Sequence, residues 1–196
     1  MKKLNQNFYA RDTLTVAREL LGKHLVRVVE GAPLTLRITE TEAYIGRMDK
    51  ACHAYNYKRT KRTETLFASP GTAYLYLIYG MYTCLNCVTE AEGEPAAVLI
   101  RGGEPADAQS ADLLSNSRFG CAAADMSSYQ RKNFLNGPGK LCKALSLTTK
   151  ENGLSLMGST LYILDAGETP DAIYTGKRIG IDYAEEAADF PWRFYL

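Results

Sequence analysis

Seven tyrosines, Tyr44, Tyr55, Tyr57, Tyr74, Tyr76, Tyr79 and Tyr82, fall in one stretch of the chain, with Arg47, Lys50, Lys58, Arg59, Lys61 and Arg62 interleaved among them. Aromatic rings offer faces on which nucleobases stack, and the cations between them can meet phosphates. Glu42 stands just before Tyr44, at the end of an alternating segment. A carboxylate set against an aromatic wall loses hydration, holds its proton to higher pH and can serve as a general base. The same residues also fit plainer roles. Tyrosine is at home on half-buried strands, and a run of Lys and Arg is commonly a solvated face.

Other chemistries are poorly supplied. The chain has no phosphate-binding P-loop, no Gly-x-Gly-x-x-Gly and no Gly-x-Ser-x-Gly elbow. Only His24 and His53 are present, too few for a histidine-rich metal site. His-x-Glu followed by Pro-Cys-x-x-Cys, the mark of a zinc nucleobase deaminase, is missing. Cys84 and Cys87 form a lone Cys-x-x-Cys whose spacing puts them on opposite faces of a strand, as two buried thiols. Five cysteines with nothing to mark a secreted chain read as reduced thiols in the cytoplasm.

The elements that must position these residues follow from pattern. Asp12 or Thr13 caps a helix over Val16, Ala17, Leu20 and Leu21, closed by Gly22. Leu25 to Val29 is a strand, Glu30 to Pro33 a turn, and Leu34, Leu36 and Ile38 alternate with polar residues into Glu40 to Tyr44. Residues 46–64 lack periodicity and read as a long loop. Strands are expected over Thr72 to Tyr79, Tyr82 to Thr89, Ala97 to Arg101, Leu161 to Leu164 and Arg178 to Ile181. Helices are expected over Ala106 to Phe119 and from Gly137-Pro138-Gly139 onward. The sum is an α/β protein of the α+β type, one domain over residues 1–196. Its sheet is mixed but largely antiparallel, with a protruding β-hairpin and surrounding helices.

Composition agrees. A chain of 196 residues, 46% hydrophobic and 23% charged, can bury a core without staples. Its longest apolar stretch, Ala73 to Tyr79, is far short of the ~20 residues that cross a bilayer. No membrane association and no secretory leader are expected. Net charge is +1, but residues 1–80 hold 13 Lys/Arg and 7 Asp/Glu while residues 81–196 hold 10 and 15. Such a split can build one basic face that attracts a polyanion.

Several blocks together resemble the alkyladenine (3-methyladenine) DNA glycosylase family. They are Glu40-Thr41-Glu42-Ala43-Tyr44, then His53, the long run from Pro70 to Tyr82, and Asn86. Leu99 to Pro105, Gly137 to Cys142, Arg178 to Ile181 and Pro191 to Tyr195 continue the likeness in order, from about residue 10 to the end. The resemblance implies a monofunctional hydrolase of damaged purines in double-stranded DNA, acting as a monomer without metal or other cofactor. Glu42 matches the general base that activates water, and Arg101 the residue that helps hold that water. Tyr44 and His53 match one side of the base pocket and Tyr76 the other face of the flipped base, and Asn86 matches the residue near the purine edge that discourages normal guanine. Tyr79 matches the side chain inserted into the duplex, and Leu66 a second apolar residue near that gap. A non-catalytic lesion-binding module with the same pocket is the alternative.

Two hairpin registers are open. A loop at Gly80-Met81 sets Asn86 opposite Leu75, and a loop of Gly80 to Tyr82 sets it opposite Tyr76, on the same face. The pocket roles favour the second. Either way Tyr79 lies at the tip. The segment between Asn86 and Arg101, with Glu90, Glu92 and Glu94, is slightly longer and more acidic than the family leads one to expect, and should lie away from phosphates.

Overall fold

The computed structural model describes residues 1–196. Its elements begin with β1 (Lys2–Lys3), α1 (Gln6–Tyr9), α2 (Thr13–Glu19), β2 (His24–Val29) and β3 (Ala32–Ile45). A long loop leads to β4 (Ala73–Ile78), β5 (Tyr82–Val88) and β6 (Ala96–Pro105). Then come α3 (Ala108–Phe119), α4 (Ser128–Lys132), α5 (Pro138–Ala144), β7 (Leu161–Asp165), β8 (Tyr174–Gly176) and β9 (Arg193–Tyr195). The strands form one sheet in the order β1-β7-β2-β3-β6-β5-β4, with β9 against β3 and β8 against β9. Every pairing is antiparallel. The expected α+β class holds.

Local chemistry sets the boundaries. Asp12 caps α2 by accepting the Thr15 N–H at 2.9 Å. Asp107 caps α3 through the Ser110 N–H at 2.7 Å, so that helix begins at Ala108 and not at Ala106. The first hairpin turns on Glu30-Gly31 alone, both at positive φ (49° and 83°), so Ala32 and Pro33 belong to the strand.

The strands β4 and β5 carry two different faces. Ala73, Leu75, Leu85 and Cys87 join the main core, where Val16 of α2 and Leu20 just after it, Leu114 of α3 and Leu141 of α5 pack on the sheet. The opposite face presents Tyr74, Tyr76, Cys84 and Asn86. Cys84 and Cys87 are both buried, on opposite faces as their spacing requires. The hairpin adopts neither register expected from the sequence. Ile78 pairs with Tyr82 across a loop of Tyr79, Gly80 and Met81, which sets Asn86 opposite Tyr74. Tyr79 and Gly80 both take positive φ (52° and 69°), so the chain turns one residue earlier. Because the shift from the favoured register is two residues, Asn86 still shares a face with Tyr76.

The strand expected over Arg178 to Ile181 does not form. Gly180 sits at φ 76° and the Ile179 N–H is spent on a side chain, so no ladder can run through. The neighbouring segments 174–176 and 193–195 pair instead. The long loop leaves β3 at Gly46, where a Cβ would stand 2.6 Å from the Pro95 carbonyl oxygen; only glycine allows that approach.

Candidate active site

Glu42 lies within β3, opposite Leu99 of β6 on one side and Arg193 of β9 on the other. Its side chain is 0% exposed. One oxygen, Oε2, accepts the Tyr44 hydroxyl proton at 2.7 Å, and Oε1 accepts the Ile179 N–H at 2.9 Å. Arg101 Nε stands 3.5 Å from Oε1 and donates to Glu40 Oε1 at 2.9 Å. Glu40 in turn forms an ion pair with Arg193 at 2.9 Å. Burial lifts the Glu42 pKa above the usual carboxylate range; Arg101, the Tyr44 hydroxyl and the Ile179 N–H pull it part of the way back.

A cavity of about 130 Å³ opens over this carboxylate. It brings together Glu42, Tyr44, His53, Leu66, Tyr76, Asn86 and Arg101, seven of the eight residues singled out from the sequence. His53 stands edge-on to Tyr76, centroids 4.6 Å apart at 79°, with Nδ1 3.1 Å from the Tyr74 hydroxyl. Burial and the Arg62 guanidinium push the His53 pKa down to about 4, so its ring is neutral at pH 7. Asn86 is buried and donates its amide to the Tyr74 carbonyl at 3.1 Å. Two thiols line the cavity, and burial raises Cys52 to about 12 and Cys84 to about 11, so both stay protonated.

Tyr79 stands apart from the cavity at the hairpin tip, 81% exposed, as expected. Leu66 does not join it. It is 2% exposed and packed with Cys52, Ala54, Phe67 and Tyr74 in a small core under the pocket. As placed it offers no free surface to a duplex, because its short helical segment, Glu64–Phe67, turns it inward. The exposed apolar neighbours of Tyr79 are Met81, Tyr82 and Leu77.

Sequence reasoning missed several contributors. Strand alternation with Tyr76 could have found Tyr74. Arg62, whose guanidinium lies 5.2 Å from the Tyr76 ring centroid, was visible only as one cation in a run. The Ile179 N–H and the buried Arg178–Asp49 pair left no signal, since Asp49 and Arg178 lie 129 positions apart. The basic loop is also less basic than its composition. Arg47 pairs with Glu90, Lys50 with Glu185 and Glu186, and Arg59 with Glu64. Lys58, Lys61 and Arg62 have no acidic partner within 4.0 Å. No helix is long and apolar enough to cross a membrane.

The profile of the methylpurine-DNA glycosylase family matches residues 7–196. A protein of Desulfitobacterium hafniense is 50% identical over 196 residues, covering 100% of this chain and 96% of that one. One of Clostridium perfringens is 53% identical over 197 residues, covering 99% and 95%. One of Alkaliphilus oremlandii is 50% identical over 194 residues, again covering 99% and 95%. All three carry provisional 3-methyladenine DNA glycosylase names. Matched over nearly its whole length, the chain belongs to the methylpurine-DNA glycosylase family, hydrolases of DNA repair.

Proposed function

We propose that the protein flips alkylated or deaminated purines out of duplex DNA and hydrolyses their N-glycosidic bond, leaving an abasic site. 3-Methyladenine and 7-methylguanine are the first candidates, hypoxanthine and ethenoadenine the next. The observation that carries this reading is a fully buried carboxylate of raised pKa, Glu42, beneath an aromatic pocket. Ionised Glu42 takes a proton from water as the water oxygen bonds to C1′ and the C1′–N bond breaks. Its charge also opposes the oxocarbenium-like charge on the sugar. Arg101 helps hold that water. A cationic purine leaves as a neutral base with the bonding electrons, so one carboxylate suffices; a neutral purine must also gain a proton.

Tyr44 and Tyr76 sandwich the flipped base, with His53 beside them. A cationic purine gains a cation–π contribution of about 0.5–2 kcal/mol that normal purines lack. Neutral His53 adds no repulsion to it. Asn86 stands at the purine edge and disfavours normal guanine. Tyr79 fills the hole left in the stack, offsetting a flipping cost of a few kcal/mol. Lys58 and Lys61 face phosphates. The protein acts as a monomer with no cofactor.

The test is incubation with duplexes carrying single 3-methyladenine, ethenoadenine or hypoxanthine residues, followed by heat and alkali. Strand breaks at the lesion are expected; none on any duplex would end the reading. Lesion binding without base release would instead identify a binding module. A borohydride-trapped protein–DNA adduct would contradict direct attack by water.

A further inference from the structure

Behind the pocket wall lies a buried ion pair whose members do not line the cavity. Arg178 and Asp49 both have side chains that are 0% exposed. Two Arg178 nitrogens bond the two Asp49 oxygens, one at 2.8 Å. The same nitrogens reach the carbonyls of Ala43 at 2.8 Å and Ala187 at 3.0 Å. Asp49 also accepts the Ala51 N–H at 2.9 Å. The guanidinium lies 4.7 Å from the Tyr44 ring centroid and 5.1 Å from that of Trp192.

These contacts converge on one carboxylate. The residue after Arg178 supplies the N–H that binds Glu42 Oε1. The ring under the Arg178 guanidinium carries the hydroxyl that binds Glu42 Oε2. We infer that Arg178, locked by Asp49, is the positioning residue that holds both hydrogen-bond donors of Glu42 in place. Asp49 cancels the Arg178 charge at contact distance, so the pair acts by placement and not by its field. A buried ion pair is a poor source of net stability, because desolvation offsets its attraction. This one has a geometric task in its place. The inference rests on Glu42 being the general base.

The other groups that face Glu42 are Glu40 on its own strand and Arg101 and Cys84 from the neighbouring strands. Arg193 acts through Glu40. Those groups stay in the variants that test the inference. The pair is replaced together by apolar side chains, R178M with D49L, which removes both charges and leaves neither stranded. Single-turnover release of a damaged purine is measured from pH 4 to 9, beside thermal unfolding. The expected result is a folded protein whose limiting rate falls roughly tenfold to a hundredfold, the range for losing a hydrogen bond to a charged group. Its acidic limb also moves to higher pH, because the anionic carboxylate has lost its donors. R178K is the second variant: Arg178 makes four hydrogen bonds, to both Asp49 oxygens and to the Ala43 and Ala187 carbonyls, and an ammonium has only three donors on one atom, so the limb moves the same way by less. An acidic limb unmoved in every variant that folds, with a rate within twofold of the parent, would overturn the inference. A parent protein that releases no base, or a Glu42→Gln variant as fast as the parent, would sink the reading of Glu42 itself and is seen in the same assay.

Discussion

The acid end of the site and the hairpin tip belong to one sheet and are built in opposite ways. Around Glu42 the strand is flanked on both edges, the side chain is wholly buried and both carboxylate oxygens have donors within 3 Å. At the tip, the ladder stops at Ile78 and Tyr82, and Tyr79 and Met81 stand in solvent. On the proposed reading, the contrast follows from what each end would meet. Charge development at a reacting sugar rewards groups fixed beforehand. A side chain proposed to enter DNA would have to be free of the protein first, which fits the exposed apolar surface of Tyr79.

The largest effect expected from breaking this contrast is at the acid. Glu42→Gln should slow release by about 10²–10⁴-fold in single-turnover assays and leave lesion binding within a few fold. Equal losses of binding and rate would place Glu42 in recognition instead. Tyr79→Ala should weaken flipping by roughly tenfold to a hundredfold, from a stacking loss of ~1–3 kcal/mol, read by the fluorescence of a base analogue. Its melting temperature should not change, since the ring touches no core; a drop would mean that the tip is packed after all.

Gly46→Ala should cost about 1–3 kcal/mol in urea unfolding, because its Cβ meets the Pro95 carbonyl at 2.6 Å. The smallest effect is a pH dependence. A buried carboxylate with a raised pKa favours folding at low pH and loses that contribution as pH rises through the raised value. Glu42→Gln should therefore melt higher than the parent at neutral pH, with the gap closing toward pH 4. Activity runs the other way and falls as pH drops through the same pKa. His53 titrates near 4, so His53→Ala should leave any limb near neutrality where it was.

Much of this was legible from the residues. Alternation marks β3, while Tyr, Leu and Ile content on either side of Gly80 marks β4 and β5, whose faces follow from a period of two. Pro138 marks the start of α5, and the expected turn over Glu30 to Pro33 contracts to Glu30 and Gly31 because both take positive φ. The hairpin register was not legible. One residue of difference in where Tyr79 leaves the ladder decides the pairing, and neither alternation nor glycine content fixes it. Nor was the segment 178–181. Its apolar pattern suited a strand, but the buried Arg178 side chain and the left-handed Gly180 hold it as an irregular bridge. The wall role of Leu66 depends on a short helical turn that no local signal marks.

The double duty of β4 and β5 limits how this protein can evolve. Leu75 and Leu85 hold the fold together from one side of the same strands whose other side presents Tyr74, Tyr76 and Asn86. A lineage adapting to heat by enlarging residues on the first side would tilt the rings on the second and, on the proposed reading, shift which lesions are accepted. Broadening the repertoire from these strands would, in the same way, draw on thermal tolerance. Innovation is less constrained at exposed positions such as Tyr55 and Tyr57 of the long loop and Tyr183 at the cavity mouth, which lie outside the main core.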